Sequence, residues 1–312
     1  MLHKNITKFF AFVIVNLAFC LIFSSCHSVS SQYEQQKNTN EKFSDKYEKP
    51  QIVGKIESSE ITESSGLVAS QCNENVFWTH NDSGNENEIF ALDDKGKNLG
   101  KWKVSGAKNT DWEDISIFKN SAGECFIYIG DIGNNKRNRA EMTIYRFKEP
   151  QTSDASRKIE AVETIKFEYP DLRHDAETLL VHPKTGDIYL LSKRLSGASA
   201  VYKLKSDFSL EKTNTLEKIA DFSVPAIPNG FLTGGNISPD GKRVVISDYF
   251  AAYEIILPEN AKNFDEIWTQ KPNVIELGER EIGEAVCYSA DGNSIFATSE
   301  KKNSPFIEVK KK

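Results

Sequence analysis

The chain has 312 residues, a formal charge of −6 and a charged fraction of 27%, and it becomes two units more negative if a leader bearing Lys4 and Lys8 is removed. There is no basic stripe beyond the tail Lys310 to Lys312, which argues against nucleic acid as a partner. The sequence also lacks CxxC pairs, zinc-spaced Cys/His clusters, a G-x-S-x-G elbow and H-E-x-x-H, so the common zinc and serine-nucleophile chemistries have no foothold.

In chain order, Lys4 and Lys8 precede an apolar run from Phe9 to Phe23 and then Ser24, Ser25 and Cys26. The run is too short to span a bilayer comfortably and its flanks fit a signal peptide over residues 1–25. Ser24-Ser25-Cys26 resembles the lipobox of bacterial lipoproteins. That resemblance implies cleavage before Cys26, lipidation of Cys26 and a firm membrane anchor on an exported protein, periplasmic or at the cell surface. A plain secretory signal cut elsewhere is the alternative. Residues 26–50 are rich in Ser, Gln, Asn, Lys and Glu and read as a disordered tether with a reach on the order of 25–30 Å.

Residues 51–312 are expected to form a single domain built from five like units. Each unit opens with a polar or acidic cluster running into an apolar strand: E-S-S-G-L-V-A from Glu63, W-E-D-I-S-I-F from Trp112, D-A-E-T-L-L-V from Asp175, G-G-N-I-S-P-D-G from Gly234 and G-E-A-V-C-Y-S from Gly283. A turn, a second strand, a polar loop and a third strand follow each time. Four units continue into a fourth strand, around Leu99 to Val104, Ile159 to Phe167, Leu216 to Phe222 and Asn273 to Leu277. The fifth runs out of chain, and Gln51 to Glu57 supplies its missing strand from the other end. This pattern predicts an all-β fold, a β-propeller of five blades closed by the N-terminal strand, with six blades as the alternative. A monomer is expected. The cysteines beyond Cys26 are Cys72, Cys125 and Cys287, so at most one disulfide forms, and Cys72 with Cys125 is the expected pair.

In a propeller the first strands start, and the second strands end, at the same end of the channel. Glu113, Glu177 and Glu284 hold equivalent positions in blades two, three and five, where blade one has Ser65 and blade four has Gly235. Three converging carboxylates repel one another, and a hard cation such as calcium would relieve that repulsion. Alternatively, each accepts backbone amides of the next blade and locks the ring. Asn81, Asp82, Asp111, Trp112, Asp175 and Glu300 are placed around the same mouth as candidate ligand contacts. His80 and Asp131 are candidate bases, and His80, among so many carboxylates, is expected to have a raised pKa. Lys193 and Arg194 supply positive charge for an anionic ligand or a developing negative charge.

The sequences N-D-S-G-N, D-W-E-D, G-D-I-G-N-N, D-A-E-T-L and S-P-D-G, in order from Asn81 to Gly241, and E-A-V-C-Y-S-A-D-G from Glu284, resemble a group of exported bacterial propeller lipoproteins. The resemblance covers nearly all of residues 51–309 and implies fold and export but no particular activity. More remotely, the arrangement is similar to esterase-like phytases, gluconolactonase-type propellers and calcium-activated nucleotidases. That likeness implies Glu113, Glu177 and Glu284 as ligands of a channel calcium, although Gly235 departs from an all-acidic ring. Three functions are therefore expected in turn: calcium-assisted binding of a small or anionic ligand, metal-dependent hydrolysis of a phosphoester or lactone, and a protein-interaction scaffold of the envelope.

Overall fold

Every strand expected from alternating apolar residues forms, and tight turns join the first pair of each unit. The computed structural model describes residues 42–312. The leader, Cys26 and most of the tether lie outside the described residues. The chain divides into Met1–Lys42 and Phe43–Lys312, and the propeller occupies the second unit.

Strand β1 (Gln51–Lys55) precedes four complete blades. Blade one is β2 (Ser64–Ala69), β3 (Phe77–Asn81), β4 (Glu88–Leu92) and β5 (Asn98–Val104). Blade two begins with β6 (Trp112–Lys119), β7 (Cys125–Asp131) and β8 (Met142–Lys148); the chain then lays β9 (Lys158–Ile159) parallel to β5 before completing the blade with β10 (Val162–Glu168). Ile159, expected at the start of that fourth strand, thus belongs to the edge of blade one, held where Lys103 and Ser105 donate to the carbonyls of Arg157 and Ile159. Blade three is β11 (Ala176–Val181), β12 (Ile188–Ser192), β13 (Ser199–Leu204) and, after β14 (Asn214–Thr215) has paired with β10, β15 (Glu217–Phe222). Blade four is β16 (Gly234–Ile237), β17 (Arg243–Ser247), β18 (Ala251–Ile256) and β19 (Asn273–Glu276). Blade five is β20 (Gly283–Tyr288), β21 (Ser294–Ser299) and β22 (Pro305–Lys310), with β1 as its fourth strand.

The blade number is five. Ring closure follows the sequence expectation, with Gln51 opposite Glu308 and Lys55 opposite Pro305 in an antiparallel ladder. The inner strands β2, β6, β11, β16 and β20 pack each against the next and β20 against β2, closing the circle. Such closure leaves only short protected edges.

Between blades one and two, Trp78, Trp102 and Trp112 are fully buried with Ile115, Ile127 and Phe147. Between blades three and four, Tyr189, Phe222 and Tyr253 pack with Trp268 from a short 3-10 helix, Phe264–Thr269. Cys72 and Cys125 form the expected disulfide and join neighbouring blades across 53 residues of sequence. Cys287 is free and buried.

The tether expected over residues 26–50 is shorter at its C-terminal end. Ser44 donates to the Val274 carbonyl and Glu48 to the Lys310 carbonyl. Tyr47 is buried, and its hydroxyl donates to Glu254 Oε1 at 2.6 Å. A single large aromatic, with a buried carboxylate to receive its hydroxyl, is enough to dock this otherwise polar segment.

Candidate functional site

The inner strands share a distortion at the position of the aligned glutamates. The pairing register shifts between Ser64 and Leu67 in β2, between Trp112 and Asp114 in β6, between Ala176 and Thr178 in β11, and between Gly283 and Val286 in β20. Strand β16, which has glycine at this position, pairs regularly throughout. A bulge adds an unpaired residue and re-aims its side chain. Ser65, Glu113, Glu177 and Glu284 are the residues so displaced, and the sequence alignment of the blades is a structural one.

The ring lock exists, but Asp114 provides it rather than the three glutamates. Its Oδ1 accepts from the Ile115 amide at 2.8 Å, and its Oδ2 accepts from Leu179 at 2.9 Å and Gly235 at 3.3 Å. One carboxylate of blade two therefore holds backbone of blades three and four. Asn236 does similar work between blades four and five, accepting from the Tyr288 amide at 3.2 Å.

The glutamates are left for the channel mouth. Oxygens of Asp82, Asp111 and Glu113 lie within 4.8 Å of one another, and so do those of Glu113, Asp175 and Glu177. Glu113 is common to both groups, which draws together the ends and starts of blades one, two and three. The loop after β7 comes down on this cluster. A Cβ at Gly133 would lie 2.0 Å from Glu113 Oε1 and 2.4 Å from Asp111 Oδ2, so any side chain there would push both carboxylates aside. The next amide, Asn134, donates to Asp175 Oδ1 at 2.7 Å.

Burial raises the pKa of Asp82, Asp111 and Glu113, and the carboxylates around Asp82 and Glu113 add to it. Asp82 is pushed up to about 6, first by burial and then by Asp111, Glu300 and Glu63. Glu113 stands well above the usual carboxylate range through burial, Glu177 and Asp82, and Asp111 is raised by burial as well. Lys193 Nζ donates to both Glu177 oxygens at 2.5 Å. Burial would lower the lysine's pKa, but Glu177 holds it above the ordinary value. Its ammonium also lies over two rings, 4.6 Å from the Phe231 centroid and 5.3 Å from that of Tyr249.

Glu284, the third aligned glutamate, lies outside both carboxylate groups. It is buried, its Oε2 has no hydrogen-bond partner, and its pKa is raised well above the usual range by burial, Glu177 and Glu300. Glu300 is partly exposed beside it and is raised by burial. Arg280 is buried nearby, donating to the carbonyls of Asp248 and Thr298, with burial lowering its pKa to about 10.

Other expected residues are engaged elsewhere. His80 is fully buried at the end of β3, its Nδ1 3.0 Å from the Asn81 carbonyl and its ring edge-on to Trp112. The expectation of a raised pKa is overturned: burial takes it down to about 4, because the sealed ring does not see the solvated carboxylates its sequence neighbourhood suggests. Trp112 is sealed between blades, its Nε1 donating to the Lys108 carbonyl at 2.9 Å, and its side chain faces packing rather than the mouth. Asn81 staples its own loop, accepting from the amides of Thr62 and Glu63 and donating to the Glu60 carbonyl. Asp131 is paired with Arg139 at 2.7 Å. Arg194 is bound through its backbone amide to the Gly230 carbonyl, 2.8 Å away. Of the H-N-D loop only Asp82 reaches the cluster.

Sequence reasoning missed Gly133, the Phe231–Tyr249 pair around Lys193, and Arg280. The glycine was visible within D-I-G-N-N, where close approach of backbone to ligand groups is one reason for glycine. The aromatics come from loops whose juxtaposition depends on the ring.

No protein-family model matches the chain, and no curated protein matches it in sequence. Among solved structures, the chain is similar to the PQQ-bound form of aldose sugar dehydrogenase from Streptomyces coelicolor, with a TM-score of 0.51 and 10% identity over 86% of this chain and 99% of that one. At that identity the likeness supports the fold: the chain is a five-bladed β-propeller.

Proposed function

We propose that the acidic mouth binds a divalent cation of the calcium class and, with it, a small anionic ligand. The supporting observation is the pair of carboxylate groups that meet at Glu113. Asp82, Asp111, Glu113 and Asp175 would hold the cation, with Glu177 shared with Lys193. Oxygen-only donors suit calcium or magnesium over zinc. The fit is supported by the bare Gly133 backbone against Glu113 and Asp111. Lys193, caged by Phe231 and Tyr249, would face the ligand's negative charge. The Cys72–Cys125 disulfide supports an oxidising compartment and so the export and Cys26 anchoring that the leader suggests.

The second reading is a metal-dependent hydrolase of phosphoesters or lactones, favoured by the half-buried ammonium of Lys193 beside the cluster. A cation there would supply Lewis acidity and a water of lowered pKa. His80 and Asp131, expected as bases, are both committed to other contacts.

Calorimetric titration with calcium and with magnesium, paired with melting curves in EDTA, tests the first reading. One cation should bind per chain, and saturation at a hundredfold over Kd should raise the melting temperature by about 5 °C or more. Glu113→Gln should lose at least tenfold in cation affinity while keeping its cation-free melting temperature. Failure of both cations to bind the unmodified protein removes this reading.

A further inference from the structure

The loops that carry Lys193 and Phe231 into the mouth also carry exposed aliphatic side chains out of it. Leu195 is 78% exposed and Ile227 is 94% exposed. Both lie on the face where second strands end, Leu195 in the loop after β12 and Ile227 in the connection from β15 to β16. Scattered exposed aliphatics are ordinary, but these two flank one groove of about 520 Å³, together with Pro225, Ala226 and Pro228.

The groove walls are fixed to one another. Arg194 donates its amide to the Gly230 carbonyl at 2.8 Å, and Val224 donates to Asn229 at 3.0 Å. A Cβ at Gly230 would lie 2.4 Å from the Gly197 carbonyl oxygen, so the two loops touch backbone to backbone. Two residues inward from Leu195 is Lys193, and four residues on from Ile227 is Phe231, whose ring lies under that ammonium. The Arg194–Gly230 bond thus sets the Lys193–Phe231 pair on its inner side and the apolar groove on its outer side.

We propose that the ligand of the mouth is a single-chain amphiphilic anion. Its head group lies at the cation and Lys193, and its hydrocarbon tail lies in the groove between Leu195 and Ile227. This rests on the cation-binding reading above and adds the class of ligand. A concave groove between two loops suits one chain, whereas Asp82, Asp111, Asp175 and Glu300 around the mouth repel an anionic bilayer surface.

Octyl phosphate, below its micelle concentration, and methyl phosphate are titrated into the calcium-loaded protein and into a Leu195→Ser, Ile227→Ser double variant. Both positions are exposed, so the variant should keep the melting temperature of the parent. Octyl phosphate should bind at least tenfold more tightly than methyl phosphate, and the double variant should lose that preference while keeping its affinity for methyl phosphate. Equal affinity for the two phosphates, or a preference that survives in the double variant, overturns the inference and leaves cation binding standing. Octyl phosphate binding that persists in EDTA and in Glu113→Gln overturns the placement of the head group. Attachment to phosphatidylglycerol vesicles without binding of octyl phosphate also overturns it, in favour of a membrane-contact surface. Absence of calcium binding in the separate metal titration marks failure of the underlying reading instead.

Discussion

Gly133 tests the site at the scale of one residue. Gly133→Ala would drive a methyl group against Glu113 and Asp111, both of them ends of side chains that can turn aside. The fold should survive with a small change in melting temperature, while calcium affinity falls by about tenfold or more, since ligands displaced by a fraction of an ångström lose coordination. Unchanged affinity in Gly133→Ala would place the cation elsewhere. Titration gives a second test. The raised carboxylates Asp82, Glu113 and Glu284 favour the folded state when protonated, so without a cation their contribution is full below about pH 4 and is lost as pH rises, through about 6 for Asp82. His80 acts oppositely: its depressed pKa gives stability above about 6.5 that is lost as pH falls towards about 4. Because His80 contributes alike with and without calcium, the calcium-induced rise in melting temperature isolates the carboxylates. That rise should grow between pH 5 and pH 7.5, and a constant increment would dissociate these acids from the cation.

Strand β6 shows how one element divides its residues between structure and site. D-W-E-D reads as a uniform acidic run, yet its bulge sends Asp111 and Glu113 to the mouth, Trp112 between blades and Asp114 to the backbone of blades three and four. Asp114→Ala would leave the amides of Ile115, Leu179 and Gly235 without this acceptor. A loss of ~3 kcal/mol is expected, about 10 °C in melting temperature, with Asp114→Asn intermediate. A near-neutral Asp114→Ala would show that water replaces the carboxylate. The aligned glutamates were legible because the blades repeat and the bulges repeat with them. The locking role of Asp114 was not legible, since the register shift that turns it away from Glu113 exists only once β6 has paired with β7. Likewise Lys193 was legible as a cation at the mouth, but not its bond to Glu177, which depends on how β11 and β12 are offset.

At the scale of the molecule, the ring depends on a strand from the far end of the chain. Removing residues 1–56 would expose the edge of β22 and release Tyr47 from Glu254, and a fall in melting temperature of more than ~10 °C, or aggregation in place of cooperative unfolding, is expected. A truncated chain that melts like the parent would show that β1 does not close the ring. The polar composition of residues 43–50 suggested a free tether, and the structure docks them instead. Composition registers average burial, whereas here one tyrosine finding Glu254, a carboxylate that Arg243 and Tyr288 also donate to, decides the matter.

The sequence by itself determined the propeller, its five units, the closing strand, the disulfide pair and the equivalence of Glu113, Glu177 and Glu284. All of these are written in local periodicity and in repetition, which survive without coordinates. The tertiary structure decided what each polar group is for. His80 and Trp112 turned out to be packing residues, Asp114 a lock, Gly133 an opening beside the carboxylates, and Lys193 a caged partner of Glu177. Those roles depend on burial and on distances between blades about fifty residues apart, and the strength of every charge interaction depends on both.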